Sequence, residues 1–199
     1  MSLGQEFHGW GTTIGEEVHR IAEVRQLLHE INPALKRIGI LWNSHDPTKV
    51  KEVDAARAAA SKMGLVPLSY EVRTAEEIDA RFAAMRNDGV ESMLLVGDSF
   101  MILHRQRIVA SVTQLRIPAV YPFRDFVDAG GLLCYGPGLP AMYHAMAKYV
   151  DRLLKGANAG DLPVEQPTIF DFTVNLAAAR SIGLTVPPSL LAQAGKVIE

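Results

Sequence analysis

A doubly wound α/β fold on a parallel five-stranded sheet is what the 199-residue sequence predicts. Three observations carry that reading. Short apolar runs rich in branched side chains alternate with stretches whose apolar residues recur every three or four positions; the loops between them are short; and every strand between Lys36 and Tyr135 gives way to a helix before the next strand begins. Parallel neighbours need crossover helices of one hand, and the order βαβαβαβαβ supplies them.

The first strand is Arg37-Ile-Gly-Ile-Leu-Trp42, bounded by polar turn residues and too short for a helix. Asp46 and Pro47 supply an N-cap and a first-turn proline, and Val50, Val53, Ala56, Ala60 and Met63 continue at helical spacing to Gly64. Leu65 to Val72 is the second strand, and Thr74 with Glu77 makes a capping box for a helix marked by Ile78, Phe82 and Met85. Ser92 to Val96 is the third strand and Met101 to Leu115 the third helix. Pro118 to Tyr121 is the fourth strand, Phe123 to Ala129 a helical turn, and Leu132 to Tyr135 the fifth strand, after Gly130-Gly131.

Outside this block, Ile14, Val18, Ile21, Val24, Leu28 and Ile31 form an amphipathic helical stripe that stops before Asn32-Pro33. Met142, Met146, Tyr149 and Leu153 form another, ended by Lys155-Gly156. A polar connection then leads to Thr168-Ile-Phe-Asp-Phe-Thr-Val174; Asn175 caps a short helix ending at Gly183, and Pro187-Pro188 opens the last one. The chain therefore divides into an N-terminal helix (1–35), a complete α/β lobe (36–135) and a return segment (136–199) too small to build a second sheet.

Composition narrows the function classes. An apolar content of 48% is enough for an ordinary core, and 20 Lys+Arg against 22 Asp+Glu leave a formal charge of -2 with no basic stripe or acidic tail. Nucleic acid and membrane surfaces are thus disfavoured as partners. The single cysteine, Cys134, excludes an internal disulfide framework and a zinc site built on paired thiolates. No apolar stretch approaches the ~20 residues of a spanning helix, and no signal-type segment opens the chain; Met1-Ser2-Leu3 reads as a vector-derived start ahead of an internal fragment.

Ligands in open α/β sheets bind at the carboxyl ends of the strands. The loops there read Asn43-Ser44-His45-Asp46, Gly97-Asp98-Ser99-Phe100, Pro122-Phe123-Arg124-Asp125 and Gly136-Pro137. Helix capping alone accounts equally well for Asp46 and Ser99. No glycine loop of the G-x-G-x-x-G or G-x-x-x-x-G-K type follows a strand, so a nucleotide cofactor has no cradle. His8, His19, His29, His45, His104 and His144 show neither H-x-H nor H-x-x-x-H spacing, so no metal site is expected; His45 alone sits in a loop facing the strand ends. The enzyme alternative is Gly97-Asp98-Ser99-Phe100, which resembles the block carrying the nucleophile Ser99 would supply in a GDSL-type esterase. Those enzymes place the block after the first strand and bring a base in Asp-x-x-His, whereas here it follows the third strand and no histidine lies three after an aspartate.

Three stretches carry a family resemblance: Lys36-Arg-Ile-Gly-Ile-Leu-Trp-Asn43, Tyr121 through Pro137, and Asn175-Leu-Ala-Ala-Ala-Arg-Ser-Ile-Gly-Leu-Thr-Val-Pro-Pro-Ser-Leu-Leu191. They resemble the substrate-binding proteins of ABC importers, in the family whose better-known members bind aromatic amino acids such as tryptophan. The resemblance implies a two-lobed receptor of the periplasmic-binding-protein type I kind, outside the cytoplasmic membrane, that closes on a small solute and docks to a membrane permease; it implies no enzyme activity. It also implies that this chain holds the second lobe whole, with only the first helix and the tail of its partner lobe. In the loop after the first strand, Asn43 and Pro47 match the family, while Thr48-Lys49 depart from it at the helix end that would meet a ligand carboxylate. The family's Asp-Asn after the third strand corresponds to Asp98-Ser99, and an aspartate there suits an amino group. The expected ligand set is Asn43, Ser44, His45, Asp98, Ser99, Tyr121, Phe123 and Tyr135, the aromatics offering walls and hydroxyls. Without most of the first lobe, the two amphipathic stripes and Thr168 to Val174 are expected to pair with a second copy in a homodimer, or else to leave the tail partly disordered.

Overall fold

In the strand β1, Arg37–Asn43, every residue after Arg37 is buried, as befits a strand covered on both faces. Side-chain alternation sends Ile38, Ile40 and Trp42 into one core and Leu41 into the other. A computed structural model describes residues 30–31, 34–163 and 170–199; the stripe from Ile14 to Leu28 lies outside them. β2 (Val66–Val72) and β3 (Ser92–Leu95) flank β1 in parallel, and β4 (Ala119–Tyr121) and β5 (Leu133–Pro137) extend the parallel run.

Helices cover both faces. α1 (Lys49–Lys62) presents Val53, Ala56, Ala59 and Ala60 to the face that carries Ile38, Ile40 and Trp42. The opposite face, with Leu41, Met93, Leu95 and Tyr121, is covered by Ile78, Phe82 and Met85 of α2 (Glu77–Asn87), Ile108, Val109 and Val112 of α4 (Arg105–Leu115) and Phe126 of α5 (Arg124–Asp128). Between β3 and α4 lies α3 (Ser99–Leu103); the single helix expected over Met101–Leu115 is instead two, broken at His104. The capping at Asp46 is also displaced. Its Oδ1 accepts from Thr48 N (2.9 Å) and Thr48 Oγ1 (2.6 Å), an Asx turn placed one step before α1.

Among the described residues the sheet carries the five expected parallel strands and two more, in the order β2-β1-β3-β4-β5-β6-β7. β6 (Phe170–Asn175) runs antiparallel to β5, and β7 (Lys196–Ile198) runs parallel to β6. Tyr135 is therefore not where the sheet ends, and the segment expected to face a second copy lies within it: Phe172, Thr173, Val174 and Asn175 are buried between two paired neighbours. Phe170, Phe172 and Val174 alternate with Asp171 and Thr173 as any strand would. The pattern marks a strand without marking its partner, and the free edge of β5 supplied one. Asn175 caps α7 (Leu176–Ser181) as expected, its Oδ1 accepting from Ala178 N at 3.0 Å, and Pro188 opens α8 (Pro188–Gln193).

Among the described residues, α6 (Leu139–Leu154) has no buried residue, and Met142, Met146, Val150 and Leu153 of its apolar stripe are exposed.

Two contacts set the strand positions that matter for the site. At the amino edge, Glu91 Oε2 accepts from the backbone N–H of Lys36 (2.6 Å) and Arg37 (2.8 Å), tying the start of β1 to the start of β3 and holding the carboxyl below its usual range. At the carboxyl edge, Gly136 of β5 passes so close to β4 that a Cβ there would overlap the Pro122 carbonyl oxygen. Backbone on backbone cannot relax as a flexible side chain would, so Gly136→Ala should lower stability by about 3 kcal/mol, the upper end of the overpacking range, in urea denaturation. An unchanged midpoint would show that β5 can move away from Pro122 freely.

Candidate ligand site at the carboxyl edge

The strand order places a switch point between β1 and β3: the chain leaves β1 toward β2 on one side and leaves β3 toward β4 on the other, opening a crevice at their carboxyl ends. Asn43 ends β1 and Asp98 follows β3, and they meet in that crevice. Asn43 Nδ2 donates to Asp98 Oδ2 at 2.6 Å, while Asn43 Oδ1 accepts from His45 N at 3.0 Å. Asn43 is only 8% exposed, so both halves of its amide need partners, and both have them. The other Asp98 oxygen, Oδ1, accepts from Met101 N at 2.8 Å and caps α3. A carboxylate offers about four lone-pair sites; two are used here, which fixes its orientation and leaves acceptor capacity to spare.

The rest of the expected set divides. Ser44 Oγ accepts from Arg73 Nε at 3.0 Å, joining the loops after β1 and β2. His45 and Ser99 are exposed at the rim. The capping role read for Ser99 belongs to Asp98, and the ring of His104, one helical turn further on, sits edge-on to Phe100 at 4.6 Å. Phe123 is half-buried beside Gly97, where a Cβ would come within 2.7 Å of its Cε2, so the glycine lets the loops after β3 and β4 close on each other. Tyr121 leaves the set. It is 1% exposed, its ring stacks on Phe126 at 5.0 Å with planes 6° apart, and burial pushes its hydroxyl well above the usual range, so it is a core residue rather than a wall of the site.

Tyr135 keeps its place at the edge in company not foreseen from the sequence. Phe170, opposite Pro137 at the start of β6, stacks on it at 5.9 Å and 18°, and Phe172 meets it edge-on at 5.9 Å and 76°. Only the antiparallel pairing of β5 with β6 brings these rings together. Also unforeseen is a cleft of about 420 Å³ lined by Arg124, Asp125, Asp128, Asp171 and the turn Pro137–Gly138. Arg124 and Asp128 pair there at 3.5 Å, both well exposed, a pairing that contributes little. Cys134 lies beneath this edge, and burial pushes its thiol up to about 12.

Asp98 serves two partners, the α3 cap and the buried Asn43 amide. Asp98→Ala should cost about 2–3 kcal/mol, from a lost cap and an orphaned buried amide. Asp98→Asn retains one acceptor oxygen for one of these two donors and should lose about half as much in the same urea denaturation. Equal stability of the Asp98→Ala variant and the wild type would contradict the bridging role.

The sequence model of the ABC transporter substrate binding protein family matches residues 13–198. A tyrosine-binding protein of Clostridioides difficile (strain R20291) is 23% identical over 145 residues, which are 72% of this chain and 41% of that protein. The crystal structure of an ABC domain in complex with L-Trp from Streptococcus pneumonia superposes with a TM-score of 0.82 at 25% identity, covering 92% of this chain and 60% of that one. A conserved domain protein from Vibrio cholerae O1 biovar El Tor superposes with a TM-score of 0.83 at 21% identity, covering 89% and 60%. The chain thus spans between 41% and 60% of the length of these relatives. Its match over almost its whole length shows that this chain belongs to the ABC transporter substrate binding protein family.

Proposed function

We propose that this chain is the ligand-holding lobe of an extracytoplasmic solute receptor that delivers an amino acid to an ABC permease. The observation that carries the proposal is the Asn43–Asp98 pair at the switch point. Asn43, held by His45 N, fixes the carboxylate of Asp98, and the spare lone pairs of that carboxylate match an α-ammonium group by charge-assisted hydrogen bonding. The side chain of the solute then lies along the aromatic edge formed by Phe123 and Tyr135, with His45 and Ser99 at the rim. Relatives that bind tyrosine or L-Trp support an aromatic amino acid as the solute class. A single lobe contributes one wall and leaves the ligand's other face in water, so the 199-residue chain should bind weakly and a two-lobed form tightly.

Calorimetry with a panel of free amino acids tests the proposal. Asp98→Asn removes a counter-charge worth about 1.5–3 kcal/mol, so affinity should fall roughly ten- to hundredfold. Unchanged affinity would retire Asp98 as the ammonium partner.

A second copy is proposed to meet the stripe of α6, which is exposed among the described residues. Met142, Met146, Val150 and Leu153 recur along one face and are exposed, and the same stripe on a second copy is self-complementary about a twofold axis. This chain is accordingly proposed to form a homodimer through α6, without β6, which is interior to the sheet. Light scattering should give a dimer for the wild-type chain and a monomer for Met146→Glu; a monomeric wild type would contradict it.

A further inference from the structure

We infer that Phe170, braced by Tyr135, is the residue that selects ligands with aromatic side chains; the inference rests on the amino-acid reading of the site. Three rings form a ladder from the core outward. Phe172 is 9% exposed and packs in the core; Tyr135 meets it edge-on at 5.9 Å; Phe170 stacks on Tyr135 at 5.9 Å and 18°. The outermost ring is 41% exposed, although positions 172 to 175 of the same strand are buried. Single exposed apolar side chains are ordinary on a protein surface. What singles out Phe170 is its place: it pairs with Pro137, the last residue of β5, at the same carboxyl edge that carries Asn43 and Asp98, at the end of an aromatic stack.

One face of Phe170 is taken by Tyr135, and the ladder can be continued only by another flat ring. Aromatic pairs in offset or edge contact gain affinity beyond the area they bury, which an aliphatic side chain cannot reproduce. The brace matters as much as the ring. Tyr135 and Phe172 hold Phe170 in one orientation before any ligand arrives, so little ordering is left to do on binding. Phe170 thus acts on specificity, whereas Asp98 acts on the group common to all amino acids.

The test is an NMR titration of the 199-residue protein with L-tryptophan and with L-leucine, in the wild type, Phe170→Leu and Phe170→Tyr. Phe170→Leu should lose roughly three- to tenfold in L-tryptophan affinity, with L-leucine affinity held within about twofold; Phe170→Tyr should keep the wild-type ratio. Loss of both ligands in parallel, or of neither, would overturn the selective role of Phe170 and leave the amino-acid reading standing. A wild type that binds neither amino acid would overturn both.

Discussion

The hydrogen bond from Asn43 to Asp98, 2.6 Å long, joins the two loops that diverge at the switch point of the sheet. The strand order makes a crevice there, but a crevice alone has no chemistry. This one bond gives it a carboxylate of fixed orientation, because each partner is held from behind: Asn43 by His45 N and Asp98 by the first turn of α3. Buried polar networks of this kind hold a geometry only when every member is satisfied. Here the buried amide is satisfied on both sides, and the carboxylate is left with capacity to spare.

Everything else at the edge depends on how closely the strands approach. Glu91 sets the start of β1 against β3, so the ends of both strands arrive level with each other. Gly97 lets the loop after β3 close against Pro122 and Phe123, and Gly136 lets β5 itself close against Pro122. The outcome is an edge with a charged end at β1 and β3 and an aromatic end at β5 and β6. That division matches an amino acid, whose ammonium group is constant and whose side chain varies.

Much of this was legible before the structure. Periodicity located β1 through β5 and their helices, because a strand such as Arg37–Asn43 that is buried on both faces has little choice but to read as a continuous apolar run. The loop residues Asn43 and Asp98 followed from the topology, which brings all carboxyl ends to one edge. Three things were not legible. The pairing of β6 with β5 joins segments separated by α6, and alternation in Phe170–Asn175 specifies a strand but not its neighbour or direction. The role of Phe170 depended on that pairing. Tyr121 looked like its neighbour Phe123, yet the strand ends between them: Tyr121 is still in β4 and stacks on Phe126 in the core, while Phe123 lies past the strand where the chain turns, only partly buried against the same core.

Whether the carboxyl edge around Asp98 holds an amino acid can be read directly from a crystal structure of the protein grown with L-tryptophan. The ligand's ammonium should lie within hydrogen-bonding distance of an Asp98 oxygen, with the Asn43–Asp98 bond intact and the indole against the Phe170 ring. A ligand seated instead in the cleft between Arg124 and Asp171, with Asp98 facing only protein, would contradict that placement.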